Sequence, residues 1–161
     1  MKRISLNLGV VLILIGFSFS CNKKEEIKTE KQFNWYEISI SNTFEEIIFY
    51  NDEDTATYEK RIFEGNIFTG GTKYLRTDHK TLNFNKSERD SVFKYVFEII
   101  KNPINTETEC SDYVGNLTLK IENEYSQLSA KYRSICAWDT LSVDTQKLYE
   151  LLNTKINFSN R

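Results

Sequence analysis

The chain has little of what builds the common reaction centres. Its 161 residues include one histidine, His79, one proline, Pro103, and three cysteines. A single histidine leaves few options for proton relays or imidazole-bound metals, and neither a metal nor a cofactor is expected. There is no Gly-x-Ser-x-Gly elbow and no His-Glu-x-x-His pair. Gly70-Gly71 lacks the lysine and helix start of a phosphate-binding loop. An excess of positive charge is missing too, with 21 cations against 23 acids. Nothing here forms a basic stripe, so nucleic acid is not an expected partner. No low-complexity tract or solenoid-length repeat interrupts the chain. Aromatic residues are plentiful, at 14%, as expected of a folded core.

The N-terminus has a distinct grammar. Lys2 and Arg3 precede an uncharged run from Leu6 to Phe19. Its apolar core, Leu8 to Phe17, is shorter than the roughly 20 residues that span a bilayer core. It fits the apolar region of a secretory signal, about 7–15 residues long. The run stops at Ser20-Cys21 and turns at once into charge. That edge resembles the lipobox of bacterial lipoproteins, in which a small residue precedes a cysteine that is acylated. Ser18 departs from the family pattern, which usually carries an aliphatic residue at that position. The resemblance covers residues 1–21 only. It implies that residues 1–20 are a signal peptide removed from the mature protein and that Cys21 is the lipidation site. A multiply acylated cysteine holds a membrane stably, at about 0.8 kcal/mol per buried CH₂. Asn22 stands where inner-membrane lipoproteins of Gram-negative bacteria tend to carry Asp, which implies the outer membrane, facing periplasm or cell surface.

Residues 21–32 read as a charged, flexible tether, with Ile27 the only apolar residue between Asn22 and Gln32. Loss of residues 1–20 takes away Lys2 and Arg3 and no acid, leaving 19 cations, 23 acids and a net charge of −4. Residues 33–158 then form one expected globular domain, enough chain to bury a core.

With Cys21 assigned to lipid, Cys110 and Cys136 remain. In an oxidising envelope they read as a disulfide, with two buried free thiols as the alternative. Leu117, Leu119 and Ile121 alternate with polar residues, as do Leu128, Ala130 and Tyr132, around Asn123-Glu124-Tyr125-Ser126, the pattern of a hairpin. Centred between Glu124 and Tyr125, it places Tyr113 opposite Cys136, with Cys110 three positions away. Such a bridge closes a loop of about 25 residues and contributes roughly 3–4 kcal/mol on the chain-entropy estimate.

Further strands are expected at Tyr36–Ile40, Phe44–Tyr50 and Thr55–Phe63. A hairpin around Gly70-Gly71 and a short strand at Thr81–Phe84 are expected as well. Ser87 to Lys101 changes to helical period, with Ser87 and Asp90 as an approximate capping box and Asn102-Pro103 as the stop. A second helix is expected from Val143 or Asp144 to Ile156, capped by Ser142 or Asp144. Together these predict an α+β fold: an antiparallel sheet of about 5–7 strands with two helices packed on one face, a two-layer sandwich.

Candidate site residues are few. His79 lies in the polar stretch Thr77-Asp78-His79-Lys80, read as an exposed loop. Asp52-x-Asp54 starts like a calcium loop, but Thr57 replaces its glycine and Phe63 its closing glutamate, so a turn of solvated acids is expected. Glu45 and Glu46, adjacent on a strand, should point to opposite faces. Asp54-Thr55-Ala56, Asp90-Ser91-Val92 and Asp139-Thr140-Leu141 resemble the O-glycosylation motif of some Gram-negative envelope proteins, which would make Thr55, Ser91 and Thr140 acceptors. Asn85-Lys86-Ser87 and Asn116-Leu117-Thr118 match the eukaryotic sequon, which a bacterial lipoprotein would not ordinarily use. Trp138 and Trp35 are candidate contact residues for a protein or glycan partner. The expected function is a lipid-anchored, non-enzymatic binding module of the envelope. The alternatives are an inhibitor or immunity protein against an envelope-targeting enzyme, and a small glycan hydrolase using carboxylates.

Overall fold

Alternating apolar and polar side chains set the sheet. A computed structural model of the chain describes residues 34–65, 71–104 and 115–160, within a compact unit spanning Asn34–Arg161. The signal-peptide residues, Cys21, the tether and Cys110 lie outside the described residues. Six strands follow the order β1 (Glu37–Ser41), β2 (Glu45–Tyr50), β3 (Thr55–Glu64), β4 (Lys73–Asn83), β5 (Gly115–Glu122) and β6 (Gln127–Ile135). Helix α1 (Lys86–Lys101) lies between β4 and β5, and α2 (Val143–Asn153) follows a 3-10 turn at Trp138–Thr140.

The first four strands form an antiparallel meander, and β5 returns to pair with β1, giving the order β4-β3-β2-β1-β5-β6. On one face Ile38, Ile40, Ile47, Phe49, Ala56, Leu82, Leu117, Leu119 and Ile121 are buried. Helix α1 adds Val92, Val96 and Ile99, and α2 adds Leu148 and Leu152. The two helices pack on each other, and α1 also contacts β5 and β6. This is the α+β architecture expected from the sequence.

Several local expectations need correction. Of the short strand expected at Thr81–Phe84, Thr81–Asn83 form the end of the eleven-residue β4 and Phe84 lies just beyond it. The β3–β4 hairpin pairs out only to Glu64 and Lys73, so no two-residue loop closes it; Gly70 lies outside the described residues. Gly65, with φ 98°, starts the connection, and a Cβ there would strike the Gly71 carbonyl oxygen. The cap of α1 is Asn85, not Ser87. Its side chain accepts the Glu88 N–H, while Glu88 accepts the Asn85 N–H, a reciprocal box with the glutamate that Ser87 and Asp90 lacked. Helix α2 ends at Asn153, so Ile156 lies in the following turn. Ser142 caps it and pairs reciprocally with Thr145.

The β5–β6 hairpin keeps the expected register, with Ile121 opposite Leu128 and Leu117 opposite Tyr132. At its far end Asn116 pairs with Arg133 and Gly115 with Ile135, so Ser134 is an extra residue. Its φ of 59° is the only positive value at a non-glycine among the described residues. This bulge moves the pairing by one place, so the simple count that set Tyr113 against Cys136 no longer holds.

Candidate functional site

Glu45 begins β2, and strand alternation puts it on the inner face with Ile47 and Phe49. It is 2% exposed. A buried carboxylate needs donors, and neighbouring elements supply them. Tyr58 Oη donates to Oε1 at 2.8 Å, and Lys60 Nζ lies 2.9 Å from the same oxygen. The Ser159 N–H donates to Oε2 at 2.7 Å and Asn42 Nδ2 at 3.3 Å. Burial works to raise the Glu45 pKa, but the bonds from Ser159, Lys60 and Tyr58 outweigh it and hold the group below the usual carboxylate range. Tyr58 is pushed far above the usual phenol range, first by burial and then by Glu45. The result is a structural post: one charge ties β2, β3 and the C-terminal tail together.

Beside this post lies a cleft of about 450 Å³, lined by Tyr58, Lys60, Asp78, His79 and Lys80 from β3 and β4, and by Ile156 and Asn157. Lys60 sits across from Asp78, and Tyr58 across from Lys80. Asp78 is already engaged by Arg76, whose Nε lies 2.7 Å from Oδ1 and lowers the acid's pKa. A second, smaller hollow of about 250 Å³ lies among Asn34, Trp35, Tyr36, Asn51, Asp52 and Glu124.

The outer face of the sheet has no helix on it among the described residues. Two rows of side chains cross all six strands there. One runs Ser129, Lys120, Ser39, Ile48, Thr57, Thr81; the other runs Lys131, Thr118, Ser41, Glu46, Glu59, His79. Glu37 and Glu122 oppose each other at the margin of these rows. The Glu37 pKa is raised, by burial first and then by Glu122.

The sequence-derived candidates take up scattered positions. Trp138 is fully buried, and its Nε1–H donates to the Ser159 carbonyl at 2.9 Å. Trp35 is 7% exposed and stacks on Phe93 at 6.2 Å. Both indoles are core residues, a correction to their expected role: Trp138 offers no surface, and Trp35 only an edge to the smaller hollow. Tyr132 is buried too, while Tyr36 is 57% exposed. His79 lies in β4 rather than a loop, with Nδ1 3.3 Å from Glu59 Oε1. The turn at residues 51–54 is organised by Arg89 of α1, which donates to the carbonyls of Asn51 and Glu53 and pairs with Asp54 at 2.7 Å. Among the described residues no group of three or more His, Cys, Asp or Glu is placed to hold a metal. Of the glycosylation candidates, Thr140 is exposed on the 3-10 turn. Thr55 opens β3, and Ser91 donates to the Ser87 carbonyl inside α1. Cys136 is exposed just beyond β6.

Sequence reasoning placed Glu45 and Glu46 on opposite faces but missed what the inner one does. The clue was available: in Glu45, Ile47, Phe49 the acid occupies the core phase of an alternating strand.

By architecture the folded unit is an open antiparallel six-stranded α+β sheet with two helices. Compared with known proteins, the chain matches no protein-family model, no curated protein and no solved structure.

Proposed function

We propose that this chain is an envelope lipoprotein, acylated at Cys21 and held at the outer membrane, whose α+β unit binds a protein or glycan without catalysing a reaction. The broad polar sheet face is the observation that carries the reading. Apart from Ile48 and the buried Ser39, hydroxyls and both signs of charge are spread across the six strands, a surface suited to directional polar contacts rather than apolar burial. The inner acid, Glu45, is fully occupied in holding the tail, which favours an interaction role for the domain. The charged run after Cys21 serves as the tether between lipid and domain, and a Cys110–Cys136 bridge would brace the end of β6.

Photo-crosslinking in intact envelopes tests the reading. A photoreactive residue at Thr57 or Lys120 on the sheet face should give discrete adducts, whereas one at Lys94 on α1 should not. Absence of adducts from both sheet positions would count against it. Intact mass of the processed protein should show acyl groups on Cys21, and non-reducing peptide mapping should recover Cys110 and Cys136 as one linked pair.

A further inference from the structure

We infer that the cleft between β3–β4 and the C-terminal segment is a binding site for an acidic sugar, a glycan unit carrying one carboxylate. This rests on the glycan branch of the function proposed above and places that branch on the inner side of the sheet edge, apart from the polar outer face. The volume of about 450 Å³ lies within the roughly 300–1,000 Å³ of small-molecule sites.

Charge accounting selects the ligand. Lys60 is matched by Glu45, and Asp78 by Arg76. The His79 side chain points to the outer face, where it pairs with Glu59, and adds no charge to the cleft. Lys80 has no ion-pair partner among the described residues, so the cleft carries one uncompensated ammonium. A single carboxylate matches it one for one, whereas a phosphate dianion would leave one negative charge unmatched. The remaining lining suits the rest of a sugar. The Asp78 carboxylate accepts from hydroxyls, the Asn157 carboxamide both donates and accepts, and Ile156 offers apolar surface to ring C–H groups.

Both walls are fixed in advance by the same group. Glu45 anchors Tyr58 and Lys60 on one side and, through the Ser159 N–H, the segment carrying Ile156 and Asn157 on the other. A site whose walls are already held loses less entropy on binding.

Isothermal titration of the full chain in detergent micelles tests this, with a uronic-acid disaccharide as probe and its neutral counterpart and inorganic phosphate as comparators. The uronate should bind best, and its affinity should fall with added salt. Lys80→Glu should weaken it by about tenfold or more, and Lys80→Gln by less, while Lys94→Glu on α1 leaves it unchanged. Equal binding of the neutral sugar, or an unchanged Lys80→Glu variant, would overturn the site. Failure of all three probes with sheet-face crosslinks intact would overturn the cleft alone and leave the binding-module reading standing.

Discussion

A carboxylate on the inner face of a strand is costly unless donors surround it, and Glu45 has four. Glu45→Gln keeps the shape but turns an acceptor toward donors as an NH₂ group. Urea denaturation at neutral pH should show a loss of about 2–3 kcal/mol. The folded pKa of Glu45 lies below its ordinary value. Its contribution is therefore present above the usual carboxylate range and disappears as pH falls through the depressed folded value. Melting temperature measured against pH should drop on acidification in the parent chain, and the drop should be smaller in Glu45→Gln. A parallel pair of curves would refute the assignment. Ser134 presents the reverse case, a side chain in a backbone region that favours glycine. Ser134→Gly should stabilise the hairpin by about 0.5 kcal/mol, since relief of left-handed strain slightly exceeds the entropic cost of glycine. Thermal melts would detect it. Neither residue stood out in the sequence as it does in the fold. Glu45 depends on Ser159, 114 positions away, and Ser134 on a bulge that a regular alternation cannot show.

Elements were easier to read than their ends. The alternation of Leu117, Leu119 and Ile121 against Leu128, Ala130 and Tyr132 set both the existence and the register of β5–β6, because a one-residue slip would have turned every apolar side chain outward. β4 was harder. Its stretch Lys73–Asn83 is almost entirely exposed at the sheet edge, so burial left no period to find, and His79 looked like loop. Its charges fit an edge strand, where they discourage pairing with other chains. The start of α1 was misplaced by two residues because Ser87 competed with a better cap. Asn85→Ala should cost about 1 kcal/mol, read from the denaturation midpoint, while Ser87→Ala should cost far less. Glu88 has a second task, since Lys155 lies 2.8 Å from it and joins the start of α1 to the turn after α2. That bond, and the one from the Asn85 N–H, hold Glu88 below its ordinary pKa.

At the scale of the molecule, composition and periodicity sufficed for the α+β class, but the tail was invisible to both. Phe158 is fully buried, the Ser159 N–H reaches Glu45, and the Asn160 carbonyl accepts the Trp138 N–H at 3.0 Å. No local pattern in Asn157-Phe158-Ser159-Asn160 announces these contacts, which depend on β2 and the 3-10 turn. The indole of Trp138, expected at a surface, is instead enclosed by Tyr149 and Phe158. Removing residues 158–161 should cost more than about 3 kcal/mol, from the lost phenyl burial together with the orphaned Glu45 oxygen. Proteolysis and chemical denaturation of the truncated chain should both report a much weakened domain, and an unchanged midpoint would exclude a structural tail.

A buttress 114 positions downstream of the charge it answers imposes an order of assembly. Helices and hairpins can form while the chain is still emerging, but the second strand keeps an unanswered charge until residue 159 is free to meet it. Any machine that still grips the stretch around residue 159, such as the ribosome, therefore holds an unlocked polypeptide. Release of those residues is the moment at which it can latch.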